Sequence, residues 1–375
     1  MKSYHIFYFP FKWQNQKTSE SVFAEQTDLT AIPINPHAEW LRNPEPLNNA
    51  EKEQLYNEKN FFYEFVHPVL YDQGKDDSII YHYKRKEPQQ REVSYIISTK
   101  DKTYHLKVEA INLNLYATGV GILIFYLAND LVNQQEPEDI LKINQYGRRI
   151  FPPFYADIEG RSETAKYIQI EGLNGAPSLY KEDFSSYAIH YKTWKPACFI
   201  KNLIRDLSED ITILPAIDDR MFVNCWYAND TLANFCKNDD ESLEHFFMGK
   251  KETNDFWYKY IYVDANDASC QNDEMKKRLL TNQTNKRWQK EGTLYGISRY
   301  SFVCLTNEEW FPENIIAVHM RTMYSRMIEL ILLQRASRLR FSDEVTRQMI
   351  AFPKSKELKQ PLLDQVGSLH KEYIR

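Results

Sequence analysis

A chain of 375 residues with 47 basic and 52 acidic side chains, 43% hydrophobic residues and 14% aromatics has the composition of a folded globular protein. Those fractions exclude a disordered chain, a collagen and an end-to-end coiled coil, and the length predicts two or three domains around a sizeable core. A net charge of −5 argues against a broad phosphate footprint over the whole surface.

Residues 1–13 are apolar but interrupted by His5, Pro10 and Lys12, with no small-residue cleavage site, so they predict a first strand over 4–9 and not a signal peptide. A short helix over 47–60 and a loop over 72–77 follow, the loop centred on Gly74. Enrichment in β-branched and aromatic residues predicts strands over 79–84, 93–98, 104–116 and 120–127. Residues 110–129 carry no charge and are long enough to span a bilayer. Ile111, Leu113 and Leu115 alternate there with Asn112 and Asn114, however, which is the period-2 pattern of a half-buried strand. Two strands parted near Thr118 and Gly119 are therefore expected, and no transmembrane segment.

Pro137 stands at a first helical position, Ile140, Leu141 and Ile143 supply an apolar face, and Pro152-Pro153 closes the unit. A strand over 167–171, a helix over 196–207 and strands near Ile211 and over 221–227 continue the alternation. Helices are predicted over 230–238, 241–247, 254–262 and 273–289, then a last strand over 293–305. The fold class is α/β: a mixed β-sheet flanked by helices, with a long C-terminal helix and a second terminal helix over 356–373. Residues 1–310 form the body, divisible near 155–165, and residues 311–375 a helical arm.

The arm differs in kind. No glycine or proline occurs between Pro312 and Ile350, so one helix of about 58 Å is expected at about 1.5 Å per residue. Ile316, Met320, Met323, Met327 and Leu330 recur at heptad spacing, which predicts a seam for a second copy of the chain or a membrane-embedded partner. Residues 315–375 hold 11 basic and 6 acidic side chains, so the arm is +5 against −10 for the rest. Arg335, Arg338 and Arg340 cluster near its middle, either as a solvated basic end or as a surface presented to an anion. That cluster is the one feature supporting nucleic acid as a partner.

Chemistry is sparsely signalled. Gly119-Val120-Gly121 lacks the third glycine of a dinucleotide fingerprint, no P-loop is present, and no histidine pair has metal-ligand spacing. Arg148 and Arg149, beside an aromatic-proline turn, are candidates to hold a phosphate. Asp218 and Asp219, at a predicted strand end, are acid-base or metal candidates. No cofactor is implied. Five widely spaced cysteines, Cys198, Cys225, Cys236, Cys270 and Cys304, suit small buried side chains in a reducing cytoplasm better than disulfides or zinc.

Residues 294–302 (LYGISRYSF) and 332–342 (LLQRASRLRFS) resemble stretches of uncharacterised bacterial proteins. The layout, an α/β body feeding a very long helix with a basic end, is similar to the cytoplasmic region of CorA-type divalent-cation channels, in which that helix leads to the membrane. The family's Gly-Met-Asn motif is missing, so the resemblance implies a layout and carries no site residue. The leading functional expectation is a cytoplasmic, non-enzymatic sensor or scaffold acting through its helical arm. The alternatives are an enzyme or binder of a phosphorylated small molecule and a nucleic-acid-associated or defence protein.

Overall fold

The computed structural model describes residues 2–15, 27–150, 165–184, 196–217, 220–237, 251–266 and 270–350. Its centre is a mixed sheet of 13 strands. They are β1 (Ser3–Asn15), β2 (Trp40–Arg42), β3 (Ile80–Arg85), β4 (Ser94–Ser98), β5 (Thr103–Tyr116), β6 (Val120–Asn129), β7 (Tyr167–Glu171), β8 (Lys181–Asp183), β9 (Ile211–Pro215), β10 (Phe222–Ala228), β11 (Thr284–Asn285), β12 (Leu294–Ile297) and β13 (Ser301–Thr306). The helices that cover it are α1 (Asn49–Phe61), α2 (Pro137–Gly147), α3 (Cys198–Leu207), α4 (Asp230–Lys237), α5 (Lys251–Tyr262), α6 (Asp273–Gln283), α7 (Ala317–Arg321) and α8 (Met323–Ile350).

The strand order is β11-β12-β13-β10-β1-β6-β5-β4-β7-β8, with β2 and β3 joined to β5 and with β9 joined to β1. Every described pairing is antiparallel except β10 with β13. The long strands β1 and β5 each serve two neighbours along one edge. β1 pairs with β10 through Ser3–Tyr8 and with β9 further along, while β5 pairs with β4 and then with β3. Strands from both sides of residues 155–165 join this one sheet. Segments 241–247 and 356–373, both expected to be helical, lie outside the described residues.

The continuous apolar run of β1 reflects burial on both faces. Phe7, Phe9, Phe11 and Trp13 pack with Leu123, Phe125 and Leu127 beneath α2, α3 and α5 in the larger core. Phe199, Ile200, Leu203, Ile204 and Leu207 supply the apolar stripe of α3. On the opposite face Ile6, Tyr8, Ile122 and Ile124 pack against Ile328, Leu332, Leu333 and Ala336 of α8. The uncharged stretch 110–129 is the β5–β6 hairpin. Its three-residue loop ends on Gly119 at φ +69°, a left-handed conformation that suits glycine. A register shift between Val108 and Ala110 switches the buried positions of β5 from even (Leu106, Val108) to odd (Ile111, Leu113), which turns Asn112 and Asn114 to the other face. No described helix is long and apolar enough to cross a membrane.

The long C-terminal helix expected from the sequence is present, with two local irregularities, and its described part packs on the body. Pro312–Ile316 is a π-turn, α7 ends at Thr322 with φ −113° and ψ −96°, and α8 starts anew. Thr322 Oγ1 donates to the Val318 carbonyl at 2.8 Å, a back-bond of the kind that bends a helix, and the Thr322 amide keeps its own bond to that carbonyl at 3.0 Å. The interruption changes the helical phase. Ile316 and Met320, expected on a seam for a partner, are buried against Trp226 and Cys304 of the same chain, and the buried stripe then runs Ser325, Ile328, Leu332, Ala336, Arg340. Met323 and Leu330 are half-buried and Met327 is 38% exposed, so the second half of the expected seam faces largely outward.

Candidate functional site: a polar cleft between the sheet and two helices

The face that is aliphatic on β1 and β6 becomes polar on β3 and β5. His82 lies opposite Asn114 and Lys84 opposite Asn112 in the antiparallel register, so these four side chains share one patch. α1 is held above them by its N-terminus. The Asn48 side chain accepts from the Glu51 amide at 2.9 Å, and the Glu51 carboxylate accepts from the Leu47 amide at 2.9 Å. Between floor and helix is a cleft of 420 Å³, lined among others by Glu58, Lys59, Tyr71, His82, Lys84, Asn112 and Arg326. That volume lies within the range of small-molecule sites, roughly 300–1,000 Å³.

A chain of hydrogen bonds runs from the cleft floor into α8. His82 Nδ1 meets Asn114 Oδ1 at 2.6 Å, and Asn114 Nδ2 donates to Glu329 Oε2 at 2.8 Å. Arg326 donates to the same Glu329 oxygen at 2.9 Å and to Glu58 Oε1 at 3.0 Å. The Glu329 carboxyl is fully buried, and burial raises its pKa while Arg326 opposes the rise. The acceptor role of Glu329 orients the Asn114 amide, which in turn assigns the His82 proton to Nδ1. Burial and the neighbouring Arg326 lower the His82 pKa to about 4. The ring is therefore neutral at pH 7, and its Nε2 keeps a lone pair.

Most charges around the cleft are spoken for. Asp72 accepts from Arg42 at 2.9 Å and from the amides of Gly74 and His82, which together hold its pKa low. Glu109, projected at the β5 bulge, pairs with Arg321 at 2.8 Å. Lys59 lies 5.2 Å from the Tyr71 ring centre, and Lys84 has no carboxylate within ion-pair distance among the described residues. Burial lowers the Lys84 pKa. Asn112 is only 8% exposed, yet its Oδ1 has no hydrogen-bond partner. Among the described residues no group of three His, Cys, Asp or Glu converges on a metal position.

The candidates from sequence fall elsewhere. Arg148 is buried at the end of α2, where it donates to the Val263 carbonyl at 3.2 Å. Arg149 forms an isolated bridge with Arg220, and Asp218 and Asp219 lie outside the described residues. The structure instead brings Arg148 together with Arg220, Arg299 and Arg335 around a notch of 20 Å³, room for about one water. Arg338 is exposed, while Arg340 is only 2% exposed and donates to the carbonyls of Trp13 (2.8 Å) and Gly119. Arg340 therefore clasps the hairpin turn and is not part of a surface cluster.

One constellation resembles a nucleophile with its base. Cys225 Sγ is 3.5 Å from His5 Nδ1, which itself lies 2.7 Å from Asn144 Oδ1. All three side chains are fully enclosed in the core, burial pushes the thiol up to about 12, and the imidazole is lowered to about 4. A neutral thiol beside a neutral imidazole is packing, not catalysis.

The cleft residues that sequence reasoning missed are His82, Lys84, Glu58 and Arg326. Their signal was a second period-2 pattern, His82 and Lys84 between Tyr81, Tyr83 and Arg85, matching that of Asn112 and Asn114. Comparisons with protein-family models, with curated proteins and with solved structures find no match for the chain.

Proposed function

We propose that this chain is a cytoplasmic, non-enzymatic module that binds a small polar molecule in the cleft beneath α1 and senses it through α8. The observation that carries the reading is the 420 Å³ cleft whose floor sets Lys84 and the His82 ring beside the Arg326 bridge. Sensing follows from Arg326: it lines the cleft, sits on α8 and bridges Glu58 of α1 to Glu329. A molecule competing for Glu58 or Arg326 changes how α8 is held on the sheet. The absence of a disulfide among the described cysteines accords with a reducing compartment.

The test is a thermal-shift screen of polar metabolites against the protein and Asn112→Phe, which fills the floor. Saturable stabilisation of the parent and none of the variant is expected. A screen without a hit, or hits that persist in a folded Asn112→Phe, would refute the cleft as a binding site.

A second reading, self-association through the arm, is favoured by the outward side of α8, where Ile331 is 59%, Leu339 40% and Met327 38% exposed. Light scattering decides it: a dimer that Ile331→Asp with Met327→Asp dissociates is expected, and a monomeric parent ends it.

A further inference from the structure

Resting on the cleft reading and going beyond it, we propose that the ligand is a small organic anion that also carries hydroxyl or amino donors. The argument is a balance of what the walls still offer. Arg326, Glu58, Asp72, Glu51 and Glu109 are occupied by partners inside the protein, while Glu45 lines the cleft without an ion pair among the described residues. Two ammonium groups, Lys59 and Lys84, face the cleft with no carboxylate in ion-pair distance among the described residues. Two acceptors remain on the walls: the Glu45 carboxylate, and His82 Nε2, left as a lone pair because Nδ1 is bound to Asn114.

These groups alternate in space. Lys84 stands directly across from Asn112, and His82 is two residues from Lys84 on the same strand and therefore on the same side of the sheet. A cationic seat thus lies one side chain away from the His82 acceptor. A bare anion would satisfy the lysines and leave the acceptors unmade, whereas a neutral polyol would satisfy the acceptors and leave Lys84, which only the more distant Glu51 offsets, without a contacting anion. A molecule with an anionic end and donors two to four atoms away satisfies both. Carboxylate and phosphate share this chemistry, so the probes must separate them.

Isothermal titration with gluconate, glutamate, glycerol 3-phosphate, sorbitol and hexanoate tests the class. At least one of the first three is expected to bind, with sorbitol and hexanoate at least about 10-fold weaker. Lys84→Met is expected to weaken that probe by about 10- to 100-fold, the range for a charge-assisted contact. Lys59→Met gives a second reading of the same seat should Lys84→Met unfold. Sorbitol or hexanoate binding as tightly as the best polar anion, or affinity unchanged in both lysine variants, overturns the anion class and leaves the cleft standing. If none of the five binds while neutral or cationic metabolites bind the parent and not Asn112→Phe, the class is wrong and the cleft right. If nothing binds in either experiment, both fall.

Discussion

The two faces of the sheet solve the same problem by opposite means. Under α2, α3 and α5 the contact is mainly hydrocarbon and aromatic, with Phe7, Tyr95, Phe125 and Phe199 meeting at centroid distances of 5.5–6.2 Å, and its polar groups are closed sets such as His5 with Asn144 and Arg85 with Glu87 and Asp206. Under α1 and α8 the aliphatic strip of β1 and β6 gives way to a charged, hydrogen-bonded patch on β3 and β5. Area burial needs no direction, while a buried ion pair stabilises only when every partner is in place. The first face therefore serves stability and the second has room for specificity.

The largest expected effect separates them directly. Arg326→Met leaves Glu329 buried without its cation and is expected to cost about 3–5 kcal/mol, comparable to Phe125→Ala on the dry face. The two losses differ in pH dependence. Without Arg326 the Glu329 pKa rises further, so the variant is relatively more stable at low pH and loses stability as pH rises through that pKa. The Phe125→Ala deficit stays flat. Urea unfolding at pH 5.5 and pH 8 checks this, and parallel deficits would mean the two faces are energetically alike.

Next comes the paired replacement. Arg326→Met with Glu329→Leu is expected to recover most of the single-variant loss, because two apolar side chains need no compensation. A double variant as unstable as the single would show that Glu58 and Asn114 depend on the ion pair for more than charge.

A third effect is shared by both faces. His5 and His82 each have a pKa lowered to about 4 against 6.5, so the unfolded chain binds more protons in that window. Stability is expected to fall as pH drops from about 6.5 to 4, by up to about 3 kcal/mol for a fully buried histidine such as His5. His82→Gln should reduce the slope of stability against pH by about one proton; a slope unchanged by that substitution would place the imidazole in water. The smallest effect contrasts two neighbours on α8: Leu332→Ala is expected to cost about 2–5 kcal/mol and Ile331→Ser under about 0.5 kcal/mol.

Much of the sheet was legible because its signals are local. The alternation of Ile111, Leu113 and Leu115 with Asn112 and Asn114 marks a strand and its two faces without reference to anything distant. The outer parts were less so. β2 and β8 have 3 residues each, too few for any period, and the predicted strand over 293–305 is two strands turned at Ser298 to Tyr300. The length of the C-terminal helix was legible because residues 312–350 contain no breaker, whereas its inward face was not: the π-turn and the bend at Thr322 shift the phase, so Ile328, Leu332 and Ala336 pack on the sheet and Met327 is exposed. Only the floor of the cleft, with His82 and Lys84 alternating on one strand and Asn112 and Asn114 on another, leaves a trace in spacing. Glu58, His82, Asn114 and Arg326 are joined by strand pairing and helix docking over as many as 268 positions, and linear order carries no trace of that.

The docking of α8 also has a consequence for birth on the ribosome. Ile6, Tyr8, Ile122 and Ile124 can pair and align early, but their cover is the stretch from Ile328 to Ala336, made some 200 residues after β6. At about 5–20 residues per second that is roughly 10–40 s during which a greasy strip stands naked. Nascent chains of this protein should accordingly engage holdase chaperones until the closing helix emerges, and the clasp of Arg340 on the Gly119 carbonyl would be among the last bonds struck.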